Sequence, residues 1–104
     1  MGLESFFNPR SVAIVGASRQ EGKVGYEILA NMIAAGYKGQ IFPVNPQAGE
    51  IKGLKCYSDL GSIPAVPELV LIIVPAKMVP GVMQQCAKVG TKAVVIITAG
   101  FNEV

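Results

Sequence analysis

Four stretches of this chain are apolar without polar interruption on alternate residues: Val12-Ala13-Ile14-Val15, Ile41-Phe42-Pro43-Val44 running on to Asn45-Pro46, Leu69-Val70-Leu71-Ile72-Ile73-Val74, and Ala93-Val94-Val95-Ile96-Ile97-Thr98. A half-exposed strand alternates apolar and polar residues. Continuous apolar runs of this length are those of parallel strands covered on both faces. Between the first two runs the period changes. Val24, Ile28, Met32 and Ala35, with Leu29 and Ile33 beside them, form one helical stripe and predict a helix over residues 23–35. Gly36 is positioned to end it in a left-handed turn. Val79, Val82, Met83, Cys86 and Ala87 repeat the pattern for a second helix, with Pro80 in its first turn and Gly90 at its end. Residues 51–57, broken by Gly53, predict a short edge strand, and residues 59–67 a loop punctuated by Gly61, Pro64 and Pro67.

Strands alternating with helices, in one chain of 104 residues, predict a single α/β domain. Its expected architecture is a Rossmann-like, doubly wound parallel sheet of about five strands. In such sheets ligands bind at the carboxyl ends of the strands, where the strand order reverses. Those ends are Gly16-Ala17-Ser18, Asn45-Pro46, Val74-Pro75-Ala76 and Thr98-Ala99-Gly100. All are small, polar or proline residues that let a ligand approach the backbone. The first continues into Arg19-Gln20-Glu21-Gly22-Lys23-Val24-Gly25, a glycine-rich loop at a helix start, which is a site for phosphate. Its spacing matches neither familiar pattern. Ser18 stands where G-x-G-x-x-G has its second glycine, and Gly16 and Gly22 are one residue too far apart for G-x-x-x-x-G-K-[ST].

Composition removes several classes of function. A net charge of +2, with scattered Lys and Arg, gives no nucleic-acid-binding face. No apolar run approaches the roughly 20 residues of a membrane span, and there is no signal-peptide core, so a cytoplasmic location is expected. Cys56 and Cys86 are far apart and predict two free thiols, Cys86 on the buried side of its helix. The chain has no histidine, which excludes a Ser-His-Asp triad, a Cys-His pair and a phosphohistidine within these residues. At 51% hydrophobic and 15% charged residues, the composition suits strands buried on both faces and surface covered by further protein.

The exit of the second strand narrows the ligand. A unit that holds NAD carries Asp or Glu there for the ribose hydroxyls. Here Val44-Asn45-Pro46 has no acid, and none follows before Glu50. That omission suits a ribose bearing its own phosphate, as in coenzyme A or NADP, with Lys23, Lys52 and Lys55 as candidate neutralisers.

The segment Phe7-Asn8-Pro9-Arg10-Ser11-Val12-Ala13-Ile14-Val15-Gly16-Ala17-Ser18, followed by Gly22-Lys23-Val24-Gly25, resembles the N-terminal CoA-binding domain of the NDP-forming acyl-CoA synthetases. That family includes the ADP-forming acetate–CoA ligases and, more distantly, the alpha subunit of succinyl-CoA synthetase. The likeness continues through Pro43-Val44-Asn45-Pro46, Ile51-x-Gly53, Tyr57, Ile63-Pro64, Val74-Pro75-Ala76 and Ala99-Gly100-Phe101, nearly the whole chain.

The resemblance implies that the loop from Gly16 and Ala17 to Gly25 holds the phosphates of CoA or an acyl-CoA. Ser18 and Lys23 are the donors, and Gly22 and Val24 lie between. It implies that Asn45 and Pro46 flank the adenosine. Val74, Pro75 and Ala76, with Thr98, Ala99 and Gly100, would line the pantetheine path. Family ligases pass a phosphoryl group through a histidine in a following domain to a nucleotide in an ATP-grasp portion. Residues 1–104 are therefore expected to be a binding module, cut after the last strand from a longer ligase, with no catalytic residue of their own. Further ligase domains or subunits are its expected partners. Such a piece is also expected to self-associate. Two other settings stay open: the module of a protein lysine acetyltransferase, or a free-standing CoA- or NAD(P)-binding switch.

Overall fold

The structure, a computed structural model, describes residues 9–97. The expectations placed on Thr98, Ala99 and Gly100, and the Phe7-Asn8 start of the family-like segment, lie outside the described residues.

In chain order the elements are β1 (Ser11–Val15), α1 (Val24–Ala34), β2 (Gln40–Val44), β3 (Glu50–Ile51), β4 (Leu54–Lys55), a 3-10 turn (Leu60–Ser62), β5 (Leu69–Ile72), a second 3-10 turn (Ala76–Met78), α2 (Val79–Val89) and β6 (Ala93–Ile96). The main sheet is wholly parallel, in the order β2-β1-β5-β6. β1 is central: Val12 lies between Ile41 of β2 and Leu69 of β5. The chain winds outward from β1 to β2, then returns to the other side of β1 for β5. The reversal of strand order therefore falls between β1 and β5.

The unbroken apolar strands follow from cover on both faces. Val12 and Ile14 of β1 join Leu29 of α1, Ile51 and Cys56 on one face. Ala13 and Val15 join Leu60, Ile72, Val82 and Cys86 on the other. Successive strand residues point to opposite faces, so a strand sandwiched in this way has no place for a polar side chain. At the amino ends of the strands, Arg10 holds Glu68 through its backbone N–H (2.9 Å) and its guanidinium (3.0 Å), pinning the start of β1 to that of β5.

Both helices end as their glycines predict. Gly36 has φ +79°, its N–H donates to the Ile33 carbonyl, and the Tyr37 N–H reaches back to that of Met32 at 3.1 Å. These are the paired bonds of a Schellman stop. The buried stripe of α1 is narrower than its spacing suggests: Gly25 and Leu29 are buried, Ile28 and Met32 half-buried, and Ile33 and Ala35 exposed. In α2, Val82 and Cys86 are buried, while Met83 and Ala87 face outward.

The structure corrects the expected edge strand at residues 51–57. This stretch folds as a separate antiparallel hairpin, β3 with β4, turning at Lys52 (φ +51°) and Gly53 (φ +81°). Only Tyr57 lies along β2, in a single bridge to Val44. Among the described residues the main sheet has four strands, not five. Strand ends also fall short of the apolar runs. Ile73 and Ile97 each donate one further ladder bond, to Val15 (2.7 Å) and Ile72 (2.8 Å), and there the chain leaves the sheet.

Candidate functional site

Backbone packing assembles the carboxyl edge of the sheet. Gly16 leaves β1 at φ +98°, and a Cβ there would overlap the Ile73 carbonyl at the exit of β5. Gly25, in the first turn of α1, faces Gly16 in the same way: a Cβ on it would overlap the Gly16 carbonyl. The two strand exits and the helix start thus meet without side chains between them. This is the close approach that glycine alone allows.

The loop between β1 and α1 has its own bonds. The Ser18 Oγ accepts from the Gln20 N–H at 3.0 Å, leaving its hydroxyl hydrogen to donate elsewhere. The Glu27 carboxylate accepts from the Gly22 N–H at 3.1 Å. Lys23 takes the cap position of α1 in extended conformation, and no side chain caps the helix there. The first-turn amides of any α-helix lack a partner within the helix, so this end of α1 offers donors and a positive dipole end.

Two adjoining clefts open at the reversal of strand order. The smaller, about 130 Å³, is lined by Gly16, Ser18, Lys23, Val24 and Gly25 on one side and by Ile73, Val74 and Pro75 on the other. The larger, about 390 Å³, shares Gly16, Ser18, Val74 and Pro75 and adds Ala17, Asn45 and Pro46. The exits of β1, β2 and β5 therefore converge. Gly22 and Ala76 line neither cleft; both are exposed beside them.

Asn45 binds these exits to one another. Its Nδ2 donates to the Ala17 carbonyl at 2.8 Å, its Oδ1 accepts from the Gln47 N–H at 2.7 Å, and its own N–H donates to the Tyr57 carbonyl at 2.8 Å. Its carbonyl accepts a long contact from the Cys56 Sγ, 3.6 Å away. Burial pushes the Cys56 thiol above the ordinary cysteine range, and its hydrogen bonds to the Asn45 and Tyr57 carbonyls, followed by the charge of Arg19, counter this in part.

The larger cleft also contains residues that no sequence motif marks: Ser58, Asp59, Met78, Val82 and Gln85. Asp59 is an acid within the cleft although none stands at the end of β2. Its Oδ1 accepts from the Ser62 N–H (2.9 Å) and hydroxyl (2.8 Å), capping the 3-10 turn. Gln85 of α2 accepts from the Leu60 N–H at 3.2 Å and fixes that turn to the helix. The one sequence signal for any of this was the Asp-x-x-Ser cap spacing. Of the three candidate lysines, Lys23 lines the smaller cleft. The Lys52 Nζ lies 5.3 Å from the Tyr26 ring centre, and Lys55 lies over Tyr57 in a separate groove along the outer edge of β2. Tyr57 packs edge-on against Phe42, ring centres 5.9 Å apart. Both cysteines are free and buried. Among the described residues no cluster of His, Cys, Asp and Glu suits a metal, and no helix is long and apolar enough to cross a membrane.

This geometry has close counterparts. The chain is 47% identical to the alpha subunit of an ADP-forming acetate–CoA ligase I of Pyrococcus furiosus, covering 99% of this chain and 23% of that protein. It is 48% identical to an ADP-forming acetate–CoA ligase II of Archaeoglobus fulgidus, over 97% of this chain and 15% of that one. A solved dinucleotide-forming acetyl-coenzyme A synthetase 1 of Ca. Korarchaeum cryptofilum, in complex with phosphate and ADP, superposes with a TM-score of 0.91 at 44% identity. That match covers 97% of this chain and 22% of the synthetase. The chain thus spans less than a quarter of the length of each of these proteins. The model of the CoA binding domain matches residues 10–104, and with a Rossmann-like sheet in which the exits of β1, β2 and β5 meet in one cleft, the chain belongs to that family and its ligand is coenzyme A.

Proposed function

We propose that this domain holds coenzyme A through the glycine-rich loop of residues 16–25, as the CoA-binding part of an NDP-forming acid–CoA ligase. The observation that carries the reading is the contact of Gly16 and Gly25 at the reversal of strand order, with the start of α1 opening into the cleft. The diphosphate lies against the first turn of α1, where the Val24 and Gly25 amides and the dipole favour an anion. Ser18 donates its hydroxyl hydrogen, and Lys23 adds positive charge. Asn45 and Pro46 flank the adenosine end, Asn45 by holding the β1 and β2 exits together. The pantetheine arm runs past Val74, Pro75 and Ala76.

CoA is long, and the site fits it in two respects. The bare backbone at Gly16 lets a diphosphate approach closely, and the two clefts share Gly16, Ser18, Val74 and Pro75, so they form one continuous path. Bound there, CoA supplies a thiol that accepts an acyl group. The domain's part is to orient that thiol. With no histidine in the chain, the phosphoryl relay and the nucleotide belong to further ligase domains or subunits. The names of the relatives support this setting.

The test is calorimetric titration with CoA, dephospho-CoA, NADP and NAD. CoA is expected to bind most tightly of the four. Tight binding of NAD with none of CoA would overturn the reading.

A further inference from the structure

We propose that Asp59 and Gln85 together read the adenine edge of coenzyme A, Asp59 accepting from the amino group and Gln85 donating to the ring nitrogen beside it. This rests on the CoA reading above and names the base-specific part of that site.

Both side chains line the larger cleft, and each has one polar atom held and one left over. The Asp59 Oδ1 accepts both bonds that Ser62 donates, 2.9 Å from its N–H and 2.8 Å from its hydroxyl. Gln85 accepts from the Leu60 N–H at 3.2 Å, and because that group can only donate, the amide oxygen faces it. The Asp59 Oδ2 and the Gln85 Nε2 are thus without a partner among the described residues. The first is an acceptor and the second a donor. They stand together because both residues are tied to one three-residue turn, Leu60–Ser62.

The chain before Asp59 sets where this pair lies. Tyr57 runs parallel to β2: its N–H donates to the Pro43 carbonyl at 2.9 Å, and its carbonyl accepts from the Asn45 N–H at 2.8 Å. Ser58 and Asp59 therefore continue along the exit of β2, on the side of the cleft where Asn45 and Pro46 flank the adenosine. Pro46, Met78 and Val82 add apolar wall. Met78 is 51% exposed, and a base lying on it would remove its thioether from water. A flat base needs apolar cover on its faces and polar partners only at its edge. Adenine presents there its amino donor N6 next to the acceptor N1. An acceptor and a donor side by side complete that pattern.

The experiment titrates CoA and 1,N6-etheno-CoA into the wild-type chain, Asp59→Asn and Gln85→Met. The etheno bridge takes up N1, removes both N6 hydrogens and leaves N6 an acceptor. Asp59→Asn keeps an oxygen on Ser62 and turns an amide donor toward the base. The wild type should bind CoA roughly tenfold more tightly than the etheno form, as for a hydrogen bond to a charged group. Asp59→Asn should weaken CoA by about that factor and leave the etheno form no weaker, and Gln85→Met should narrow the preference less. Circular dichroism checks that both variants fold; losing the bond to Leu60 lowers the stability of Gln85→Met without changing the ratio of the two affinities. Equal weakening of both ligands in Asp59→Asn is the result if the carboxylate meets the ribose or the pantetheine, or serves the turn alone, and it would overturn the proposal. A preference that Asp59→Asn leaves unchanged, or a wild type that binds both ligands equally, would do the same. If the wild type binds neither ligand, the CoA reading itself fails, and that result is distinct from these.

Discussion

Gly25 rests against the carbonyl of Gly16, with no room between them for a methyl group. Because the obstacle is backbone on both sides, neither can rotate away as a side chain would. Gly25→Ala must push α1 off the exit of β1. The expected cost is about 2 kcal/mol, as for an overpacked core site, a fall in melting temperature of about 10 °C for a domain of this size. CoA affinity should fall with it, because the first turn of α1 moves. Gly81, in the first turn of α2, is the control: a Cβ there meets nothing within 4 Å. Gly81→Ala should raise stability by about 0.5–1 kcal/mol and leave CoA binding unchanged. Thermal melts of the two variants check both statements.

Two buried thiols and one half-buried hydroxyl predict alkaline sensitivity. Burial raises the thiols of Cys56 and Cys86 above the ordinary cysteine range, and burial, then the charge of Glu68, raises the Tyr37 hydroxyl. Each native value lies above its unfolded one, so the folded state holds these protons more tightly. Their contribution to stability is complete below the ordinary thiol range, near pH 8.5. It is lost as pH rises through the raised native values. Urea midpoints should therefore fall between pH 8 and pH 10.5, and Cys86→Ala should flatten that fall. A midpoint constant across this interval would contradict the assignment.

Much of this fold was legible because burial on both faces leaves an unmistakable run of apolar residues. Val12 to Val15 could be nothing else once a glycine loop and a helical stripe followed. The stretch at residues 51–57 was misread for a physical reason. Two residues on each side of a Lys52-Gly53 turn are too few to show alternation, and the buried Ile51 packs under α1 rather than beside β2. Asp59 and Gln85 were illegible for another reason. They reach the cleft from a turn and from the opposite helix, and nothing local in the chain relates them to Gly16 or Asn45. Ser18 and Lys23 were found because the helix start that organises them is adjacent in sequence.

At the other end of the strands, Glu68 should titrate below the ordinary carboxylate range. The largest cause is the hydrogen bond from the Arg10 N–H, followed among the lowering effects by the bond and charge of its guanidinium. A depressed native value stabilises the fold above the unfolded value, near pH 4.3, and this is lost as pH falls through the native one. Arg10→Ala removes the guanidinium and keeps the backbone donor. Its Glu68 should therefore move upward in a carboxyl NMR titration without reaching the ordinary value. A full return would assign the whole shift to the side chain.

Asn45 lines the larger cleft, yet both ends of its amide already have protein partners, the Ala17 carbonyl and the Gln47 N–H. It is better placed to position the strand exits than to hold a ligand by those groups. The two roles give different results. Asn45→Ala leaves an acceptor and a donor without their partners, a cost of about 1–3 kcal/mol, and lets the β1 and β2 exits separate. Asn45→Asp keeps the bond to Gln47 but turns a carboxylate oxygen toward the Ala17 carbonyl, so it should be no more stable than Asn45→Ala. If Asn45 positions, both variants lower the melting temperature without ligand, and CoA and dephospho-CoA weaken in equal proportion. If it instead binds CoA directly, Asn45→Ala would melt as the wild type does while losing affinity, and melts with and without CoA separate the two.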